Sequence, residues 1–175
     1  MTLFRNKYRI ESARDATADY TAPGWYFVTI CAHQRRCLLG RAVDGSIALT
    51  RAGAIAEVQI RSIPGHYSNV ILDQFVVMPN HVHAIIVIDG LHSYSPEITA
   101  PLLTGKPAAG SLGNVVGGYK AAVTRACRLA GIIDFAWQER FYDHILRTNT
   151  SVNAVREYIE RNPQNWIEDP DRVTA

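Results

Sequence analysis

The feature that most constrains this chain is a pair of apolar runs, 70-VILDQFVVM-78 and 81-HVHAIIVI-88, separated only by Pro79-Asn80. Runs of this length, rich in valine and isoleucine and bounded by a turn dipeptide, read as strands. The two-residue break predicts an antiparallel hairpin. His81 and His83 stand in the second run. Alternate residues of a strand share one face and lie about 6.5 to 7 Å apart along it, so both imidazoles point the same way. Burying an imidazole costs free energy unless its nitrogens find partners. Convergence on one metal ion would satisfy a nitrogen of each. The competing reading is a polar sheet face that happens to carry histidine twice.

The rest of the chain supplies what such a hairpin packs against. The stretch 24-GWYFVTICAHQRR-36 is rich in β-branched and aromatic residues and reads as a strand, and 46-SIALT-50 reads as a second one after the turn Asp44-Gly45. Thr50 is placed to cap a helix over 51–63, with Ile55, Val58 and Ile63 on its apolar face and Pro64-Gly65 as its stop. Residues 89–110 carry Gly, Ser, Pro and Thr with little periodicity and read as a long loop. Helical periodicity returns over 111–131, capped by Ser111 and ended by Gly131, with Leu112, Val115, Val116, Tyr119, Val123, Ala126 and Leu129 on one face. The segment 137-WQERFYDHILR-147 begins extended, and a last helix over 151–161 ends at Asn162-Pro163. This order predicts an α+β fold: an antiparallel sheet with helices on one face and the other face left for a ligand.

Length and composition fit one compact domain. The 175 residues are 47% hydrophobic and 19% charged, enough to bury a sizeable core. The expected organisation is a single domain over 1–175, with an N-terminal arm (1–20), the mobile loop (89–110) and a C-terminal tail (163–175). The first twenty residues are too polar for a signal peptide, and no apolar run approaches the roughly 20 residues of a membrane helix. The expectation is therefore a cytoplasmic protein without membrane attachment. Cys31, Cys37 and Cys127 have no zinc-like spacing and read as reduced thiols. Net charge is only +2, but 15 of the 18 basic residues are arginine, the better planar partner for phosphate.

Taken with its flanks, the histidine strand resembles the single-tyrosine HUH transposases, and more closely their REP-associated branch. The blocks 25-WYFVTICAHQRRCLLG-40, 75-FVVMPNHVHAIIVI-88, 119-YKAAVTR-125, 137-WQERFYDHILR-147 and 157-EYIERNP-163 are similar to that family's, in its order, over about residues 20–165. The resemblance implies the ferredoxin-like, RRM-like HUH endonuclease fold. It also implies a metal held by His81 and His83 and a helical tyrosine that attacks DNA, for which Tyr119 is the first candidate. From spacing alone Tyr119 is equally a core residue. Gly117-Gly118 before it invites a close approach, and Tyr142, beside Asp143 and His144, is the rival nucleophile.

In related HUH transposases a Gln or Asn one helical turn after the tyrosine completes the metal site, but one turn after Tyr119 stands Val123, which cannot ligate. Thr124, Gln138, Asp143 and His144 are the substitutes considered, with His144 preferred as third ligand. Arg35, Arg36, Lys120, Arg125, Arg128, Arg140 and Arg147 are the candidate DNA contacts, and Trp137, Phe141 and Tyr142 the candidate stacking platforms. The implied cofactor is a divalent metal, Mg2+ or Mn2+.

The function so implied is cleavage and rejoining of single-stranded or hairpin DNA, such as a repetitive extragenic palindrome, through a covalent 5′-phosphotyrosine. The chain is expected to act as a monomer rather than a homodimer. Two alternatives stand beside this: a catalytically weakened DNA-binding module of the same fold, supported by Val123, and an unrelated His-x-His metalloenzyme, which would need more strand-borne ligands and more strands.

Overall fold

The computed structural model describes residues 22–89, 110–169 and 171–172, together with the backbone of two short paired strands, β1 (Leu3–Phe4) and β2 (Tyr8–Arg9). Most of the expected arm and long loop lies outside the described residues. The elements that follow are β3 (Gly24–Cys31), β4 (Gly40–Val43), β5 (Ser46–Leu49), α1 (Arg51–Arg61), α2 (Ile63–His66), β6 (Val70–Val77), β7 (His81–Ile88), α3 (Leu112–Leu129), β8 (Tyr142–Leu146) and α4 (Asn149–Arg161). The class is α+β, as the sequence predicts. Strands β6, β7, β3 and β8 form one antiparallel sheet in that order, and β4 and β5 form a separate hairpin.

Register assigns the two faces. Cys31 pairs with His81, Thr29 with His83 and Phe27 with Ile85, so these residues share one face; Val28, Ile30, Val82, Ala84 and Ile86 share the other. The second set packs under α1 and α3 in the larger hydrophobic core. Thr50 caps α1 by accepting from the Gly53 amide at 3.1 Å. A side chain at Gly53 would overlap the Leu39 carbonyl, which is why glycine sits there. The buried side of α1 is Ala52, Ala56 and Ile60; of the expected apolar residues Ile55 packs part-buried on the core and Ile63, just beyond the helix, is buried, whereas Val58 is 63% exposed. Small residues on that side let α1 lie close against α3. Helix α3 starts at its predicted cap, where Ser111 accepts from the Asn114 amide, and buries Leu112, Val115, Val116, Tyr119, Val123 and Cys127. Leu129, expected on that stripe, is exposed.

The other face of the sheet is not open. Helix α4 lies across it, and Val152, Ile159, Val155 and Tyr158 pack on Ile85, Leu146, Trp25, Phe27 and Val76. A capping box between Thr148 and Ser151 starts α4 two residues before the predicted boundary. The chain beyond α4 turns back over the same face, burying Trp166, Asp169 and Asp171. The expectation that every helix covers a single face is corrected for α4. The aromatic residues Trp25 and Phe27 need an apolar cover on the outward side of β3, and α4 supplies it.

Candidate active site

His81 and His83 project from the middle of the sheet into the space beneath α4 and the returning tail. They are 0% and 1% exposed, with ring centroids 4.3 Å apart. Each ring is fixed by its neighbours. Asn80 donates through Nδ2 to the carbonyls of Arg35 and Asp171, so its Oδ1 is the atom that faces His81 Nδ1, at 2.8 Å. An amide oxygen can only accept, so Nδ1 of His81 carries the proton and Nε2 presents its lone pair. That Nε2 has no hydrogen-bond partner among the described residues and lies 4.0 Å from Oδ2 of Asp169, which is also buried and without a hydrogen-bond partner. His83 Nδ1 lies 2.9 Å from the Thr29 hydroxyl, and its Nε2 lies 3.2 Å from the hydroxyl of Tyr158 on α4.

The electrostatics follow from burial. Desolvation holds His81 well below its ordinary value, reinforced by the neighbouring His83 and by Arg35. Desolvation takes His83 down to about 3, opposed by a hydrogen bond at the Val28 backbone. Both rings are therefore neutral near pH 7, the form that ligates a metal. Burial raises Asp169 to about 6, opposed chiefly by the Asp171 amide, while the neighbouring Asp171 carboxylate adds to the rise and hydrogen bonding from Asn162 reduces it. The Asp171 carboxylate meets Arg35 at 3.1 Å and ties the tail to the turn after β3.

The donor set suits a divalent cation. Candidate ligand atoms of His81, His83 and Asp169 all lie within 4.8 Å of one another. The buried Oδ1 of Asn162, whose side chain hydrogen-bonds Asp169, also has no hydrogen-bond partner among the described residues. Unpaired lone pairs in a buried site are costly, and a cation would satisfy them together. Nitrogen from two imidazoles with a carboxylate oxygen is a ligand set that a divalent cation accepts.

The other predicted residues fall elsewhere. Tyr119 lies in the core on the opposite side of the sheet, 3% exposed, with its hydroxyl donating to the Ala56 carbonyl at 3.3 Å. Burial raises its hydroxyl above the ordinary tyrosine value, and the sheet separates it from the histidines. The first-choice nucleophile is therefore corrected on position, because a hydroxyl enclosed by α1 and α3 cannot meet a phosphate at His81 or His83. Gly118 adjoins the Tyr67 hydroxyl, which explains it without DNA, and Gly117 faces open space.

His144 is the second correction. It shares the histidine face but stands opposite Phe27 on the edge strand β8, exposed, and is not in the cluster. Tyr142 stands opposite Thr29, one strand away from His83. Asp143 pairs with Val28 and faces the other side. Thr124 donates back to the Lys120 carbonyl on α3. Gln138 lies just beyond the Ala32–Trp137 bridge, its amide bonded to the Cys31 carbonyl.

Of the candidate DNA contacts, Arg35 is engaged with Asp171, whereas Arg36, Arg140 and Arg147 are exposed. Lys120, Arg125 and Arg128 gather on the outward flank of α3. Tyr158, Asn162 and Asp169 went unpredicted as site residues. Tyr158 and Asn162 are one helical turn apart, the tyrosine-then-amide spacing that Tyr119 and Val123 fail to provide.

The solved structure described as a REP-associated tyrosine transposase bound to a REP hairpin superposes on 83% of this chain and 70% of its own, with a TM-score of 0.56 and 20% identity. The fold is therefore that of a REP-associated tyrosine transposase. A Haemophilus influenzae (strain Rd) protein described as uncharacterized is 34% identical over 155 residues, 86% of each chain, and this chain belongs to the same family. No family model matches.

Proposed function

We propose that the protein is a metal-dependent DNA strand transferase that nicks single-stranded or hairpin DNA through Tyr158. The observation that carries this reading is the Tyr158 hydroxyl 3.2 Å from His83 Nε2, beside a buried cluster of unsatisfied metal-ligating atoms. His81, His83, Asp169 and Asn162 would hold a divalent cation, Mn2+ or Mg2+, which when bound withdraws charge from a phosphate oxygen. Tyr158 attacks phosphorus: the O–P bond forms, the P–O3′ bond breaks, the phenolic proton passes to solvent and the departing oxygen is protonated. The 5′-phosphotyrosine keeps the energy of the broken bond, so a 3′-hydroxyl can reverse the step. All these residues come from one chain, so the reading needs no exchange between subunits. The fold relative, described as bound to a REP hairpin, favours hairpin DNA as the substrate.

The second reading is a DNA-binding module of the same fold with little catalysis. One observation favours it: His81 and His83 are fully covered by α4 and the tail. The test incubates the protein with end-labelled hairpin DNA and manganese and looks for a covalent band on a denaturing gel. The band should vanish in Tyr158→Phe and persist in Tyr119→Phe. An adduct retained by Tyr158→Phe would overturn the assignment, and tight binding without any adduct would select the second reading.

A further inference from the structure

Away from the histidines, a groove of about 600 Å3 runs between the outward flank of α3 and the segment 135–137. Lys120, Arg125 and Arg128 line it, with Thr124 between them and Phe135 and Trp137 along its floor; its lining includes no carboxylate. A second cavity, of about 460 Å3, gives the contrast: its lining sets Arg61 against Glu57, Asp73 and Glu160, so carboxylates outnumber its one basic side chain. Arg61, Arg156, Arg161 and Arg35 are all neutralised in ion pairs. Arg125 and Arg128 are exposed, without an ion-pair partner among the described residues. Lys120 is anchored by the carbonyls of Gln138 and Glu139, which fixes its charge at the rim without cancelling it.

Spacing and shape narrow the ligand. From Lys120 to Arg128 the helix rises about 12 Å at 1.5 Å per residue. That span covers about three and a half steps between phosphates along one strand of a duplex, each rising about 3.4 Å. The floor offers little for stacking, because Trp137 is packed edge-on against Phe135 and close to Tyr119. The groove is built for a charged backbone more than for unpaired bases. Its floor is tied to the end of β3: Trp137 bridges Ala32, His33 donates to the Ala136 carbonyl, and the Gln138 amide donates to Cys31, the residue opposite His81.

We infer that this groove is a second nucleic-acid site that grips the phosphate backbone of a base-paired stem, while the unpaired end of the same molecule runs around the sheet end toward His81. The inference rests on the proposed function only in taking DNA as the polyanion. The experiment measures fluorescence anisotropy of a labelled hairpin with an unpaired flank across about 50 to 200 mM salt, where phosphate contacts set the slope. In Arg125→Gln/Arg128→Gln the slope of log affinity against log salt should fall by about 1.8, two contacts at about 0.9 each, with affinity reduced at least about tenfold at the low-salt end.

An unchanged slope and affinity would overturn the site. Equal loss on an unpaired oligonucleotide would overturn its assignment to the stem. If the unsubstituted protein forms no adduct and the double variant still loses its slope, the groove stands and the strand-transfer reading falls.

Discussion

Tyr158 reaches Nε2 of His83 across 3.2 Å from a helix that packs on the opposite side of the sheet from Tyr119. The two tyrosines are therefore separable by substitution. Tyr119→Phe removes one buried hydrogen bond, a cost of about 1 kcal/mol in urea unfolding. DNA cleavage should be unaffected. Tyr158→Phe should show the reverse pattern: cleavage lost, with a smaller change in stability because the side chain is part-exposed. Loss of cleavage in both would mean that the core tyrosine supports the site indirectly.

The buried titratable groups give a pH signature. His81 and His83 have folded values below 6.5, so between those values and 6.5 the unfolded chain binds more protons. Their contribution to stability is complete above about pH 6.5 and falls with decreasing pH, by about 1.4 kcal/mol per pH unit for each ring. Asp169 runs the other way: with a folded value of about 6 against 3.8, its contribution is complete below about 3.8 and lost as pH rises to 6. A cation that pairs with the ionised Asp169 removes this second loss. Manganese should therefore raise the thermal midpoint more at about pH 7.5 than at about pH 5.5, where protons compete for the carboxylate. Equal increments would detach Asp169 from the ion.

Metal affinity measured by calorimetry should separate the candidate third ligands. Asp169→Ala and Asn162→Ala should each weaken manganese binding by at least about tenfold, the scale for removing groups that hold or orient a metal. His144→Ala should leave it unchanged, since that ring is exposed on β8 outside the cluster. A large loss on His144→Ala would restore the edge-strand histidine to the site.

The adjacent glycines of α3 should respond with opposite signs. Nothing lies within 4 Å of a side-chain carbon built at Gly117, so Gly117→Ala should stabilise the helix by up to about 1 kcal/mol. The same carbon at Gly118 overlaps the Tyr67 hydroxyl and breaks its contact with the Asn114 carbonyl, so Gly118→Ala should destabilise. Thermal unfolding of the two variants checks this directly.

Strands β3, β6 and β7 of the main sheet, the caps at Thr50 and Ser111 and the shared face of His81 and His83 were legible because each depends on local periodicity or a neighbouring residue, whereas β8 forms at the end of 137–147 rather than at its expected extended start. What local pattern does not encode is the side of the sheet on which a helix lands. Tyr119 and Tyr158 are both helical tyrosines with apolar neighbours, and only the packing of α3 and α4 on opposite faces tells them apart. Asn162, four residues after Tyr158, was the available signal. Asp169 had none, since it follows Pro163 in an aperiodic stretch and meets His81 only because the tail folds back.

The strand order β6-β7-β3-β8 places the histidine strand inside the sheet, bonded along both sides. Backbone amides so placed open only with near-global unfolding, whereas a terminal helix and tail can detach at a fraction of that free energy. Hydrogen exchange would then find the slowest amides under His81 and His83 and faster ones along α4. The imidazole pair would keep its geometry through every opening that lets a phosphate in, and the hydroxyl that meets the phosphate would be the part that comes and goes.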